Sequence, residues 1–246
     1  MSGHSKWHNI QAKKGKADAA RGKVFTKLGR EIAVAAKGNP NPDTNSKLAD
    51  VIAKAKANNM PNENIQRCIK KAAGELNGAS YETLVYEGYG VGGSALIIST
   101  LTDNKNRTAG DVRSTLAKCG GEMGNTGCVS YMFDNRGLMV VERTLDLDED
   151  TITEYAIDAG ADDIVVQDDV YEIYTSPAAF SSVRKYLEEQ GISFLEAEVR
   201  MIPQSKITLN EEQTEKFIRL LDKLDDLDDV QDVYHNVELP EDEDED

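Results

Sequence analysis

From about Ala17 the apolar residues recur with a helical period. Laid out at 100° per position, Val24, Phe25, Leu28, Ile32, Ala35 and Ala36 fall within roughly 120° of one another, and Lys16, Lys23, Lys27, Arg30 and Lys37 fall within roughly 80° on the opposite side. Gly38-Asn39-Pro40-Asn41-Pro42-Asp43 ends this helix, because two prolines and their turn-forming neighbours cannot extend it. Residues 44–57 predict a second helix with Leu48, Val51, Ile52 and Ala55 inward. Residues 60–73 predict a third, with Pro61 in its first turn, Ile65, Cys68 and Ile69 inward, and Gly74 closing it.

At Tyr81 the period changes from helical to alternating. Residues 83–87 and 94–101 read as strands joined by a glycine-rich hairpin, Gly88-Tyr89-Gly90-Val91-Gly92-Gly93. Thr108-Ala109-Gly110-Asp111 reads as the start of a helix that runs through Val112, Leu116 and Ala117 to Gly120-Gly121. A strand at 128–133 and a turn at Asp134-Asn135-Arg136-Gly137 follow. Beyond lie a strand (138–142), a helix (151–159), two strands (163–167 and 170–174), a helix (177–190) and a strand (194–202), the β-α-β-β-α-β order of a ferredoxin-like domain. After Pro203, an acidic helix at 211–224 and a strand at 230–237 are too little to fold alone and belong with the earlier β-β-α-β unit. The expected class is α+β with three domains: a helical one over 1–78, a second over 79–135 plus 204–238, and a third inserted at 136–203. Residues 239–246 form an acidic tail expected to be disordered.

Charge sharpens this division. Residues 1–37 hold nine Lys and Arg against two acidic residues, and residues 1–74 carry a net +10, in a chain whose total is −16. The remainder therefore carries −26. The cation row of the first helix is about 30 Å long, enough to follow several phosphates of a nucleic-acid backbone. It adjoins an arm broken by Gly3, Gly15 and Gly22 that holds Lys13, Lys14 and the sole tryptophan. The alternative is a solvated amphipathic helix; the arm and the contrast with the acidic remainder favour a nucleic-acid surface. Its candidate residues are Lys6, Trp7, Lys13, Lys14, Lys16, Arg21, Lys23, Lys27, Arg30 and Lys37, extended by Arg107 in the second domain. Trp7 suits stacking on an unpaired base as well as burial against the first domain.

Other chemistry finds little footing. Gly88-x-Gly90-x-x-Gly93 is followed by a strand, whereas a dinucleotide fingerprint must open a helix. Asp146, Asp148 and Asp150 start like a calcium loop, but Thr151 and Ile157 stand where it needs glycine and glutamate. His4 and His8 have no third ligand nearby, and His235 has no nucleophile elbow to serve. Cys68, Cys119 and Cys128 match no zinc or redox spacing and are expected to be reduced. The expectation is a protein without enzymatic activity, cofactor, metal, membrane span or small-molecule substrate, residing in the cytoplasm.

Gly3-His4-Ser5-Lys6-Trp7, Tyr86-Glu87-Gly88-Tyr89-Gly90, Asp103-Asn104-Lys105-Asn106-Arg107-Thr108 and Val233-Tyr234-His235-Asn236 occur in the order found in the YebC/PmpR family, and the chain resembles that family over its full length. The resemblance implies a three-domain cytoplasmic protein with a helical first domain and two α+β domains. It implies two functions: a transcriptional regulator that binds DNA, or a translation factor that associates with the ribosome and contacts ribosomal RNA. The partner is then DNA, ribosomal RNA or both, with the transcription machinery or the ribosome as the larger assembly. A cation row fixes position on phosphates but carries no base sequence, so the residues leave the two open.

Overall fold

The computed structural model describes residues 18–74, 81–144 and 146–239, with side chains from residue 22 onward. Two compact units result: the described residues up to Ala73 with Asn135–Arg200 form one, and Gly74–Asp134 with those from Met201 form the other.

The first unit begins with α1 (Asp18–Ala36), α2 (Ser46–Ala57) and α3 (Asn62–Gly74). Leu28, Ile32 and Ala36 of α1 pack with Leu48 and Ala55 of α2 and with Met60, Ile65 and Ile69 at α3. Val24, at the margin of the apolar arc, is instead 37% exposed. The turn after α1 is held by Asn45, whose side chain caps α2 by accepting from the Leu48 amide at 3.1 Å and donates to the carbonyls of Ala35 and Asn39 at 2.8 and 2.7 Å. This one side chain serves orphaned groups at the end of one helix and the start of the next.

The same unit contains a four-stranded sheet of order β5-β6-β4-β7, with β4 (Phe133–Glu142), β5 (Asp163–Val166), β6 (Val170–Thr175) and β7 (Glu196–Pro203). The helices α5 (Glu149–Ala159) and α6 (Phe180–Glu189) intervene. This is the ferredoxin-like order, with β6 antiparallel to both β4 and β5. Its core joins Met139, Val141, Tyr171 and Ile173 of the sheet to Ile152, Ala156, Val183 and Leu187 of the helices. Asp148 of the acidic run caps α5, accepting from the Thr151 amide at 2.8 Å.

In the second unit, β1 (Glu82–Tyr89) and β2 (Ala95–Thr102) form the expected glycine-rich hairpin, in register Tyr89↔Ala95. The helix α4 (Lys105–Lys118), the short strand β3 (Glu122–Met123), β8 (Ile207–Thr208), α7 (Glu211–Asp225), β9 (Val230–His235) and β10 (Val237–Glu238) complete it. The sheet order is β3-β1-β2-β9, so the last long strand lies beside β2. One face packs Leu96 and Ile98 against Val112, Leu116, Phe217 and Leu220; Leu239 joins this cluster. The remaining acidic tail, 240–246, lies outside the described residues.

Three expectations are corrected. The helix after β2 starts at Lys105, because Asn104 caps it by accepting from the Arg107 amide at 3.1 Å, three residues before the Thr108 start expected from the sequence. The strand expected at 128–133 is not formed: residues 130–132 make a 3-10 turn, and only Phe133 is in strand, as the first residue of β4. The expected turn at Asp134–Gly137 is part of the ten-residue strand β4. Its polar residues suit a turn locally, but pairing with β6 places Gly137 opposite Thr175. A Cβ at Gly137 would press on the Thr175 hydroxyl and lie 2.7 Å from the Phe180 ring.

Gly137→Ala should therefore destabilise the first unit by about 1–3 kcal/mol through overpacking. Gly110→Ala, within α4 where a Cβ meets nothing within 4 Å, should instead stabilise by about 0.5–1 kcal/mol. Chemical denaturation of the two variants checks both signs.

Candidate nucleic-acid interface

The cations of α1 occupy the side away from the Leu28–Ile32–Ala36 seam. Lys23, Lys27 and Arg30 are half-buried and each takes part in a polar or electrostatic contact. Lys37 follows the helix and is exposed. Lys6, Trp7, Lys13, Lys14 and Lys16 lie outside the described residues, as does the Arg21 side chain.

The structure adds cations that the α1 pattern did not single out. Ile65 and Ile69 turn α3 inward, leaving Arg67, Lys70 and Lys71 exposed. The helices α1 and α3 approach closely at Gly29, where a Cβ would stand 3.2 Å from the Cys68 sulfur. Burial pushes the Cys68 thiol up, while the charges of Arg67 and Lys71 beside it pull the other way. Arg67 and Lys71 thus stand beside Cys68 where α3 crosses α1. Their spacing in α3 was a legible signal: three basic residues within five positions, opposite two isoleucines. On α2, Lys47 and Lys56 are exposed, whereas Lys54 is ion-paired to Glu198 at 3.3 Å and Glu31 at 3.7 Å.

Arg107 sits differently. It belongs to the second unit, and its guanidinium donates to Asp229 at 2.8 Å and to Asp103 at 2.9 Å. Two carboxylates already answer its charge within the second unit. Asp229, 7% exposed, also accepts from the hydroxyls of Thr108 at 2.8 Å and Thr102 at 3.2 Å. The run Asp103–Thr108 thus fastens the start of α4 to the loop before β9.

Glu87 does the same for another segment. Its carboxylate, 5% exposed, accepts from the amides of Gly127, Val129 and Ser130 at 2.8–2.9 Å. Asn236 accepts from the Ala95 amide at 2.8 Å. Among the described residues no group of three or more His, Cys, Asp and Glu is placed to hold a metal ion. No helix among them is long and apolar enough to cross a membrane.

Burial alone would raise the pKa of Glu87 and of Asp229; the amide donors at the first, and Arg107 with the threonine hydroxyls at the second, outweigh it and hold both below the ordinary range. A lowered folded-state pKa makes each contribution complete above the unfolded value of about 4 and lost as pH falls through the folded value. Glu87→Gln should therefore cost about 2–4 kcal/mol at pH 7 through broken and unsatisfied amide bonds. Its stability should also fall less steeply than that of the parent chain below pH 4, as urea melts across pH 3–7 would show.

Comparison with known proteins places this geometry. A family model described as the TACO1/YebC protein N-terminal domain matches residues 5–75, and one described as the TACO1/YebC second and third domain matches residues 81–237. A protein of Clostridium tetani called "Probable transcriptional regulatory protein" is 59% identical over 243 residues, 98% of this chain and 99% of that one. One of Hathewaya histolytica called "Probable transcriptional regulatory protein ORF2U" is 58% identical over 98% of each chain. The crystal structure of a conserved hypothetical protein, Aq1575, from Aquifex aeolicus superposes with a TM-score of 0.79 at 45% identity, over 91% of this chain and 93% of that one. Matched by both family models and by relatives along nearly all of its length, the chain belongs to the TACO1/YebC family.

Proposed function

We propose that this protein is a non-enzymatic, cytoplasmic regulator of gene expression that binds duplex DNA through its helical N-terminal region. The observation that carries the reading is the separation of charge: net +10 over residues 1–74 in a chain of net −16. The names of the relatives support transcription as the process regulated. The surface comprises Lys6, Trp7, Lys13, Lys14, Lys16, Arg21, Lys23, Lys27, Arg30 and Lys37, to which Arg67, Lys70 and Lys71 of α3 are added. Arg107 is assigned to the second unit's internal fastening. The functional division into 1–78, 79–135 with 204–238, and 136–203 is part of the same proposal. The acidic parts stay clear of a polyanion and recruit or exclude protein partners such as the transcription machinery.

Binding through such a surface is chiefly phosphate contact and releases counterions. Replacing Lys23, Lys27, Arg30, Arg67, Lys70 and Lys71 with glutamine should flatten the plot of log K against log salt by roughly 0.9 for each duplex-DNA phosphate that is no longer neutralised. Fluorescence anisotropy at several salt concentrations reads the slope, and an unchanged slope and affinity rejects the surface. Parallel titration with an RNA hairpin tests the other function that the family resemblance implies: tighter binding to RNA at every salt would move the protein to ribosomal RNA and translation.

A further inference from the structure

Within the first unit, the apolar cluster of the three helices and that of the ferredoxin-like sheet share no residue. Between them run polar contacts. Asp50 of α2 accepts from Arg184 of α6 at Nε, 3.1 Å, and Nη2, 3.0 Å, and from the Ser181 hydroxyl. Arg184 is only 7% exposed, and its remaining nitrogen Nη1 meets Glu188. One turn beyond Asp50, Lys54 reaches Glu198 of β7 and Glu31 of α1. Beside these contacts lies a cleft of about 280 Å³, lined by Ala53, Lys54, Ala57, Glu188 and Phe194 among others, so the junction is not packed shut.

A joint of this composition is firm when made and separable when one partner is drawn away, because each charge regains hydration on opening. Lys54 belongs to the basic region and also neutralises two carboxylates at the junction. A phosphate that captures it withdraws one cation from Glu31 and from Glu198, the second of which Arg200 also meets at 3.9 Å. We propose that Asp50, Ser181, Arg184 and Lys54 form a latch that holds the helical region on α6 and β7, and that a bound polyanion opens the latch by competing for Lys54. The trigger rests on the nucleic-acid reading above; the latch itself does not.

Hydrogen exchange of the full-length chain, read by mass spectrometry, separates the two. In the free protein, Arg184→Met should speed exchange of residues 46–57 and 180–189 by at least about tenfold while leaving residues 95–102 of β2 unchanged. Ser181→Ala, which removes one hydrogen bond and is the milder change to the fold, should give a smaller rise at the same places. The charge-exchanged pair Asp50→Arg with Arg184→Asp should recover protection. Parent-like exchange in both single variants overturns the latch. Adding a 20-base-pair duplex should speed exchange in residues 180–189 and 196–203 of the parent chain but not of Lys54→Gln. Slower exchange there, or the same change in Lys54→Gln, overturns the trigger. A duplex that fails to bind overturns the trigger and the nucleic-acid reading together, while the free-protein comparison still decides the latch.

Discussion

A carboxylate leaves water only where other donors replace the water it loses. This acidic protein turns that requirement into its long-range fastening. Glu87 gathers the amides at 127–130, Asp229 gathers Thr102, Arg107 and Thr108, and Asp50 gathers Ser181 and Arg184. Each acid ties together segments about 40 to 130 residues apart along the chain. Apolar packing supplies the bulk of each core, but these acids select which loop or helix end sits where. The directionality of hydrogen bonds does what non-directional burial cannot.

The same constraint explains why so acidic a chain keeps a basic end. Acids that serve as fasteners have their charge answered internally, so the net charge outside the helical region comes largely from exposed carboxylates such as those on α5 and α7. The helical region follows the opposite rule: its inward faces are apolar, and lysine and arginine stand on all three of its helices rather than on one.

The motifs that single out the family illustrate a general hazard. Tyr86–Gly90, Asp103–Thr108 and Val233–Asn236 look like chemistry because they are dense in polar residues. In the folded chain Glu87, Arg107 and Asn236 each hold backbone or a buried partner. A residue such as Arg107 reads as a free cation until the acid that neutralises it, 122 positions later, is brought beside it.

Periodicity alone was enough to recover the three helices, the β1–β2 hairpin and the ferredoxin-like order, because the spacing of apolar positions reflects which face is buried and that is a local property. Charge counting alone was enough to locate the basic end. Tertiary structure decided the rest. Residues 134–137 are strand and not turn because they begin β4, which lies between β6 and β7 in the sheet, with Gly137 opposite Thr175 of β6. Arg67, Lys70 and Lys71 stand near α1 because Gly29 lets α3 come close. Arg107 and Asp50 are fasteners because their partners arrive from far along the chain. Local sequence sets the period of a segment; only the assembled fold determines which charges meet, since pairing depends on distance in space and not along the chain.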